Sequence, residues 1–305
     1  MATHNGAGTL PRVLDAYTQL RYPAVPWKIV VVDNASTDGT SAILAAYAGR
    51  LPIESIYTPR RGKNIALNLG VAHCQGDLVV FTDDDAVPQA DWLSKLFEVV
   101  ISRPEFDIFG GGIDPLWPDG QCPPWISRLV NLGATFAVTP VDLGEGPVPA
   151  AQVWGPNMAV RRRVFDEGHR FDESVGPSSG QYVMGSEVEF TTRLERAGYR
   201  AWFAAAARVG HIIRSHQLQP AWIIQRGYRL GRHMFHQESS QAMGNGVPRL
   251  RGAPRWMYGK LVKQAAQAFI GRVKGDFDQR FLADWEISFL RGYLYEAARH
   301  AKSAH

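Results

Sequence analysis

Leu78-Val79-Val80-Phe81-Thr82-Asp83-Asp84-Asp85-Ala86-Val87-Pro88 is the stretch on which the reading of this chain turns. A short apolar run feeds three consecutive aspartates, and a proline closes the segment. A buried strand with carboxylates at its C-terminal end puts negative charge where α/β folds bind ligands. Three like charges in a row repel and need compensation. A divalent cation supplies it, and hard oxygen ligands suit Mg²⁺ or Mn²⁺. The same residues also suit an acidic turn after a strand, because Asp is common in turns. Both readings stand at this point.

Composition bounds the answer loosely. A chain of 305 residues accommodates one large domain with an appendage or two small domains. Hydrophobic residues at 45% and charged residues at 20% give the balance of an ordinary globular protein. Cys74 and Cys122, the only cysteines, lack metal-ligand spacing and suggest no disulfide framework, which fits a reducing compartment. No run approaches the roughly 20 apolar residues that span a bilayer, and nothing at the N-terminus reads as a signal peptide. The net charge of +4 permits an anionic substrate or a membrane surface and demands neither.

Outward from the aspartates, the first hundred residues alternate in type. Thr9 to Leu20 reads as a helix with Thr9 as cap and Pro11 in its first turn. Trp27 to Val32 is a continuous apolar strand rich in β-branched residues. The polar loop Asp33 to Gly39 leads into a helix over Thr40 to Tyr47, capped from within Ser36 to Asp38. A strand over Ile53 to Tyr57, a helix over Asn64 to Ala72 and a helix over Asp91 to Ile101 complete the series. Such alternation predicts a mostly parallel sheet with helices on both faces. One member is missing: no apolar strand precedes the helix at Thr9, so the first strand is expected to be shortened, absent or upstream of Met1. A longer chain with about five or six upstream apolar residues is expected to be the more stable one.

Several segments in order resemble glycosyltransferase family 2. They are Asp33-Asn34-Ala35-Ser36-Thr37-Asp38-Gly39-Thr40, Arg61 to Gly70, and Gly76-Asp77 through Asp85 and Pro88. Trp154-Gly155-Pro156-Asn157 through Arg162, Gly185 to Phe190 followed by Arg193-Leu194 and Gly198-Tyr199, and Val209-Gly210-His211 continue the match. The resemblance covers about residues 1 to 232 and implies a GT-A fold, a Rossmann-like mixed sheet flanked by helices. It implies metal-dependent, inverting transfer of a sugar from a nucleotide diphosphate, UDP favoured, to a glycan or lipid-linked acceptor hydroxyl. No nucleic acid partner is expected.

Residue by residue, the resemblance makes Asp85, Asp83 and His211 the ligands of Mn²⁺ or Mg²⁺, which would offset charge on the leaving diphosphate. Thr3, His4, Asn5, Asp33, Lys63, Asp83 and Asp84 become the nucleotide- and donor-binding set, with Asp33 accepting from the base ring. Trp154, Asn157 and Arg214 become the acceptor or sugar contacts. Each has a plainer alternative. His211 suits a hydrogen-bonded strand end, Asp33 a loop preceding a helix, Lys63 a solvated surface, and Asp84 a turn. Ser186 to Glu189 reads equally as a capping box, Ser-x-x-Glu before an apolar pattern. The resemblance places the catalytic base at Glu187, with Ser186 where the family's first acid sits. Leu67 and His4 also depart from the family pattern, in place of an arginine and an aromatic residue.

Gly110 to Pro149, rich in Gly and Pro, is expected to be irregular, with Trp117 and Trp125 either stacking on sugars or filling a core. Arg255 to Val273 and Phe277 to Ala301 read as amphipathic helices, packed on the catalytic domain or lying in a membrane plane. The expected organisation is a GT-A domain over 1–236, split into a nucleotide half (1–105) and an acceptor half (106–236), with a helical extension over 237–305. A cytoplasmic location, peripheral at the inner face of a membrane, goes with that reading. Two alternatives compete with it: an inactive nucleotide-sugar binder and a nucleotidyltransferase of related fold.

Overall fold

The computed structural model of the chain describes residues 1–176, 184–240 and 247–303. Two compact units emerge, the first comprising Met1–Pro118, Phe136–Gln181 and Ser186–Ile213, the second Asp119–Thr135, Tyr182–Gly185 and Arg214–His305.

In chain order the elements through the first unit are β1 (Ala2–Thr3), α1 (Leu10–Thr18), β2 (Ile29–Asn34), α2 (Thr40–Tyr47), β3 (Ile53–Thr58), α3 (Lys63–His73), β4 (Leu78–Phe81), β5 (Ala86–Pro88), α4 (Trp92–Ser102) and β6 (Ile108–Leu116). After α5 (Pro124–Leu129) and α6 (Leu132–Phe136) come β7 (Gly146–Val148), β8 (Met158–Arg161), α7 (Arg162–Asp166), α8 (Ser186–Arg196) and β9 (Ala201–Ile212). β2 shows why both faces are covered. Its side chains alternate, Ile29 and Val31 joining the core formed with α1, α2 and α4, while Val30 and Val32 meet Ala66 of α3. A strand apolar at every position needs a helix on each side. On the α3 side, Leu67 and Val71 share a second core with Phe81, Phe165, Phe190 and Leu194.

The first strand is present in shortened form. Ala2 and Thr3 pair in parallel with Val32 and Asp33, and Ala2 also bridges Asp83, linking β1 to the end of β4. β1, β2 and β3 are parallel throughout. The remaining strands run in the order β4-β8-β6-β9-β5 with β7 on β9, and only the β6–β9 pair is parallel. The expectation of a mostly parallel sheet therefore holds for β1, β2 and β3 and not for the strands from β4 onward.

Gly110-Gly111-Gly112, expected in an irregular stretch, lies inside β6. A Cβ on Gly111 would collide with the Asn157 amide and the Ala207 carbonyl, so glycine here admits close packing rather than a loop. Trp117 packs edge-on against Phe136 at 5.6 Å, and Trp125 against Phe281 at 5.2 Å. Both tryptophans are half-buried against aromatic neighbours.

The second unit is built on α9 (Pro220–Ser240), α10 (Arg255–Lys274) and α11 (Phe277–Ser303), the last two within a few residues of the expected spans. Glycines let α9 and α11 meet backbone to backbone: a Cβ on Gly231 would strike the Phe289 carbonyl, and one on Gly292 the Tyr228 carbonyl. This packing puts α9 with the extension, so the compact units part at Ile213 and Arg214 rather than at 236/237. Part of the polar link expected over Gln237 to Pro254, residues 241–246, lies outside the described residues.

Candidate active site

The site grows from the end of β4. The chain passes through Thr82 to Asp85 and turns back as β5, which pairs antiparallel with β9 in the register Ala86–His211, Val87–Gly210 and Pro88–Val209. The Ile212 N–H donates to the Asp85 carbonyl at 2.8 Å. That register brings Asp85 Oδ1 within 3.4 Å of His211 Nε2, both side chains only 13% exposed. His211 Nδ1 lies 2.6 Å from the Phe136 carbonyl, an acceptor only, so Nδ1 carries the proton and Nε2 faces Asp85. Burial pulls the imidazole pKa down, but Asp85 and the Phe136 carbonyl more than reverse this and leave it raised.

Asp83 turns the other way. Lys63, the first residue of α3, forms ion pairs from Nζ with Asp83 Oδ1 at 2.9 Å and with Glu187 Oε1 at 2.7 Å. Lysine at a helix N-terminus opposes the dipole, and the two carboxylates offset that cost. Burial lowers the Lys63 pKa, yet Asp83 and Glu187 outweigh it and hold it well above the ordinary value. For Asp83 burial dominates, with the charges of Glu187 and Asp85 adding to it, and its pKa is raised despite Lys63. Lys63 is therefore the hub of the site, not a solvated surface residue.

Glu187 sits in the first turn of α8, where a carboxylate complements the dipole. The capping-box reading fails here. Ser186 is already helical, and Glu189 pairs with Arg193 at 2.8 Å instead of reaching back. Gly155 forms the surface under Glu187: a Cβ there would lie 2.5 Å from Oε1 and 2.7 Å from Cδ. A larger residue there would have to push that carboxylate aside. Nothing in the chain pointed to this beyond the position of Gly155 beside Trp154.

The expected donor set divides. Thr3 Oγ1 donates to Asp84 Oδ2 at 2.5 Å, which fastens β1 to the aspartate turn. His4 Nδ1 is 2.8 Å from the Asn34 carbonyl, with His4 itself exposed. Asn5 Oδ1 accepts from the Thr37 N–H at 2.8 Å, and its backbone N–H donates to Ser36 Oγ at 2.9 Å. Asp33 is buried at the end of β2 and accepts from the Ser36 N–H at 2.9 Å. Asn5 and Asp33 thus serve the loop first. Asn34 does the same for α3, accepting from the Gly62 N–H at 2.8 Å. The cap of α2 falls at Gly39, with Asp38 Oδ1 accepting from the Thr40 N–H at 3.0 Å.

Asn157 is a correction. It is 1% exposed, accepts from Trp92 Nε1 at 2.8 Å, and donates to the carbonyls of Gly112 and Ala207 at 2.9 and 2.8 Å. Its amide staples β6, β9 and α4. Trp154 is half-buried, its indole N–H donating to the Ala151 carbonyl at 3.2 Å. Arg214 belongs to the second unit, where its backbone N–H donates to Gln217 Oε1 at 2.7 Å.

Among the described residues, no group of three His, Cys, Asp or Glu side chains is placed to hold a metal ion. Of the expected trio, Asp85 and His211 lie 3.4 Å apart, while Asp83 pairs with Lys63. Two protein ligands still fit a hard cation that keeps water and takes oxygens from a phosphorylated substrate. The locked Nδ1–H of His211, donated to a carbonyl, is the outer-shell arrangement that leaves Nε2 as a ligand.

Residues 1–132 match the family model described as Glycosyl transferase family 2. Over that stretch the chain is similar to family 2 glycosyltransferases. It is 26% identical over 234 residues to the glycosyltransferase AglE of Haloferax volcanii, across 75% of this chain and 69% of that one. Its fold matches the solved mannosyltransferase PcManGT from Pyrobaculum calidifontis in complex with GDP-Man and Mn²⁺, at TM-score 0.61 and 20% identity over 96% of this chain and 85% of that one. S. aureus TarS 1–349 in complex with UDP gives TM-score 0.54 and 16% identity over 100% and 90%. The fold is therefore GT-A.

Proposed function

We propose that this glycosyltransferase moves a sugar from a nucleoside-diphosphate donor, UDP-linked, to a hydroxyl of a glycan or lipid-linked acceptor with inversion at the anomeric carbon, using Glu187 as base. The observation that carries this reading is the meeting of Asp83, Lys63 and Glu187 at one point, beside the Asp85–His211 pair. A general base and an anion-binding cation then adjoin the place where a diphosphate is neutralised.

Asp85 and His211 would hold Mn²⁺ or Mg²⁺, which when bound supplies Lewis-acid stabilisation of the leaving diphosphate. Both the mannosyltransferase bound to GDP-Man and Mn²⁺ and the UDP-bound TarS share the fold that accommodates such donors. Lys63 keeps the two carboxylates close without a donor and exchanges them for donor phosphate when one binds. Glu187, released from the ammonium, accepts the acceptor hydroxyl proton as that oxygen bonds to the anomeric carbon and the bond to diphosphate breaks. General-base catalysis of this kind contributes about 10²–10⁴-fold. Asp33 accepts from the base ring of the nucleotide, and Trp154 offers an aromatic face beside the acceptor.

Calorimetric titration with UDP and GDP, with and without Mn²⁺, paired with a donor-hydrolysis assay, tests the reading. The expected result is Mn²⁺-dependent UDP binding and slow hydrolysis of a UDP-sugar. Tighter binding of GDP would overturn the donor assignment, and binding without turnover of any donor would overturn the catalytic one.

A further inference from the structure

Helix α10 carries no acidic residue. Its 20 positions include Arg255, Lys260, Lys263, Arg272 and Lys274, a charge of +5 on one helix in a chain whose total is +4. Its inner face, with Met257, Ala268 and Gly271, is buried within the second unit. Its outer face is apolar as well. Trp256 is 55% exposed, Val262 72%, Phe269 66%, Ile270 37% and Val273 71%. At about 100° per residue, Val262, Ala266, Phe269, Ile270 and Val273 fall on one stripe roughly opposite the buried face. Trp256 and Lys263 lie at one margin of the stripe with Lys274, and Arg272 lies at the other.

Of the cations, Lys260 is neutralised by Glu286 at 2.5 Å. Among the described residues, Arg255, Lys263, Arg272 and Lys274 make no ion pair. Large apolar side chains exposed in a row, flanked by unneutralised long basic side chains, have the pattern of a helix lying in a lipid interface. The basic stems can run along the apolar layer and keep their charges at the headgroups, and a tryptophan suits the same boundary. No helix among the described residues is long and apolar enough to cross a membrane, so the contact is in the plane.

We propose that the outer face of α10 docks onto an anionic phospholipid bilayer surface. Charge complementarity selects that occupant. A second copy of the chain would set one cationic stripe against another, whereas an anionic bilayer satisfies the apolar row and the cations together. The inference is independent of the donor, metal and base assignments.

Vesicle co-sedimentation of the full chain tests it, using phosphatidylcholine alone and phosphatidylcholine mixed with phosphatidylglycerol. Binding is expected only to the anionic vesicles and should weaken with added salt. The double variant Val262→Ser/Phe269→Ser, with both sites on the exposed face, should keep its melting temperature and bind about tenfold or more weakly. Lys263→Gln/Lys274→Gln should lose about fivefold per charge removed. Failure to sediment with either vesicle overturns the proposal, as does anionic binding that the α10 variants leave unchanged. A dimer in solution that Phe269→Ser dissolves, without vesicle binding, would assign the face to a second copy instead.

Discussion

Among the described residues, each unit of the molecule contains a buried ion network, Lys63 at the centre of one and Glu296 at the centre of the other, and these two are opposite in composition. In the first unit, two carboxylates, Asp83 and Glu187, share the ammonium of Lys63, with side chains 16–23% exposed. In the second, one carboxylate, Glu296, is surrounded by Arg232, His236 and Arg299, and the Arg232 and Glu296 side chains are 9% and 6% exposed. Arg232 Nε donates to Glu296 Oε1 at 2.5 Å, joining α9 to α11. The second network, with Arg232 and Glu296 buried, acts as a clamp between α9 and α11. The first carries an excess of negative charge, which a cation can offset, and a cation of its own that phosphate can claim. Chemistry that looks alike in sequence is thus sorted by access and by net charge.

The contrast can be broken at several points. Glu187→Gln has the largest expected effect, a fall in kcat of about 10²–10⁴-fold with UDP affinity near wild type. Initial rates and calorimetry separate the two, and retained turnover would remove Glu187 from the role. Glu296→Ala should cost about 3–5 kcal/mol, because it leaves a guanidinium buried without its carboxylate. The double variant Glu296→Leu/Arg232→Met should recover most of that loss in a denaturant titration. Asp85→Ala should weaken Mn²⁺ binding by about 100-fold, the upper end of what outer-shell partners alone cost. Gly155→Ala should displace Glu187 and lower kcat by about 10- to 100-fold with little change in KM. Asp84→Asn is the mildest. It keeps one oxygen for Thr3 and should change stability by less than about 1 kcal/mol, with nucleotide binding retained. Equal effects of Asp84→Asn and Asp85→Ala would erase the division of labour within the aspartate run.

Much of this was legible in the chain. The apolar run into Asp83-Asp84-Asp85, the alternation of strands and helices up to Ile101, and the two terminal helices needed only local periodicity. The placement of Asp85 beside His211 was legible through the resemblance, and the β5–β9 register is its physical cause. Other features depend on partners far apart in sequence. Asn157 stood within a pocket-like motif, but only packing shows its amide satisfied by Trp92, Gly112 and Ala207. The glycines of β6 read as a loop because their composition does not reveal the neighbour that requires them. The capping box at Ser186 was a sound local reading, displaced by the ion pair between Glu189 and Arg193.

The sequence by itself determined the class of fold, the acidic strand end and the cationic character of α10, because periodicity and charge are local properties of the chain. Only the tertiary structure decided which aspartate faces His211 and which faces Lys63, and that Gly155 supports Glu187. It also decided which side of α10 stays exposed. Those outcomes depend on strand register and helix packing, which bring together residues from 20 to 126 positions apart and which local sequence does not encode.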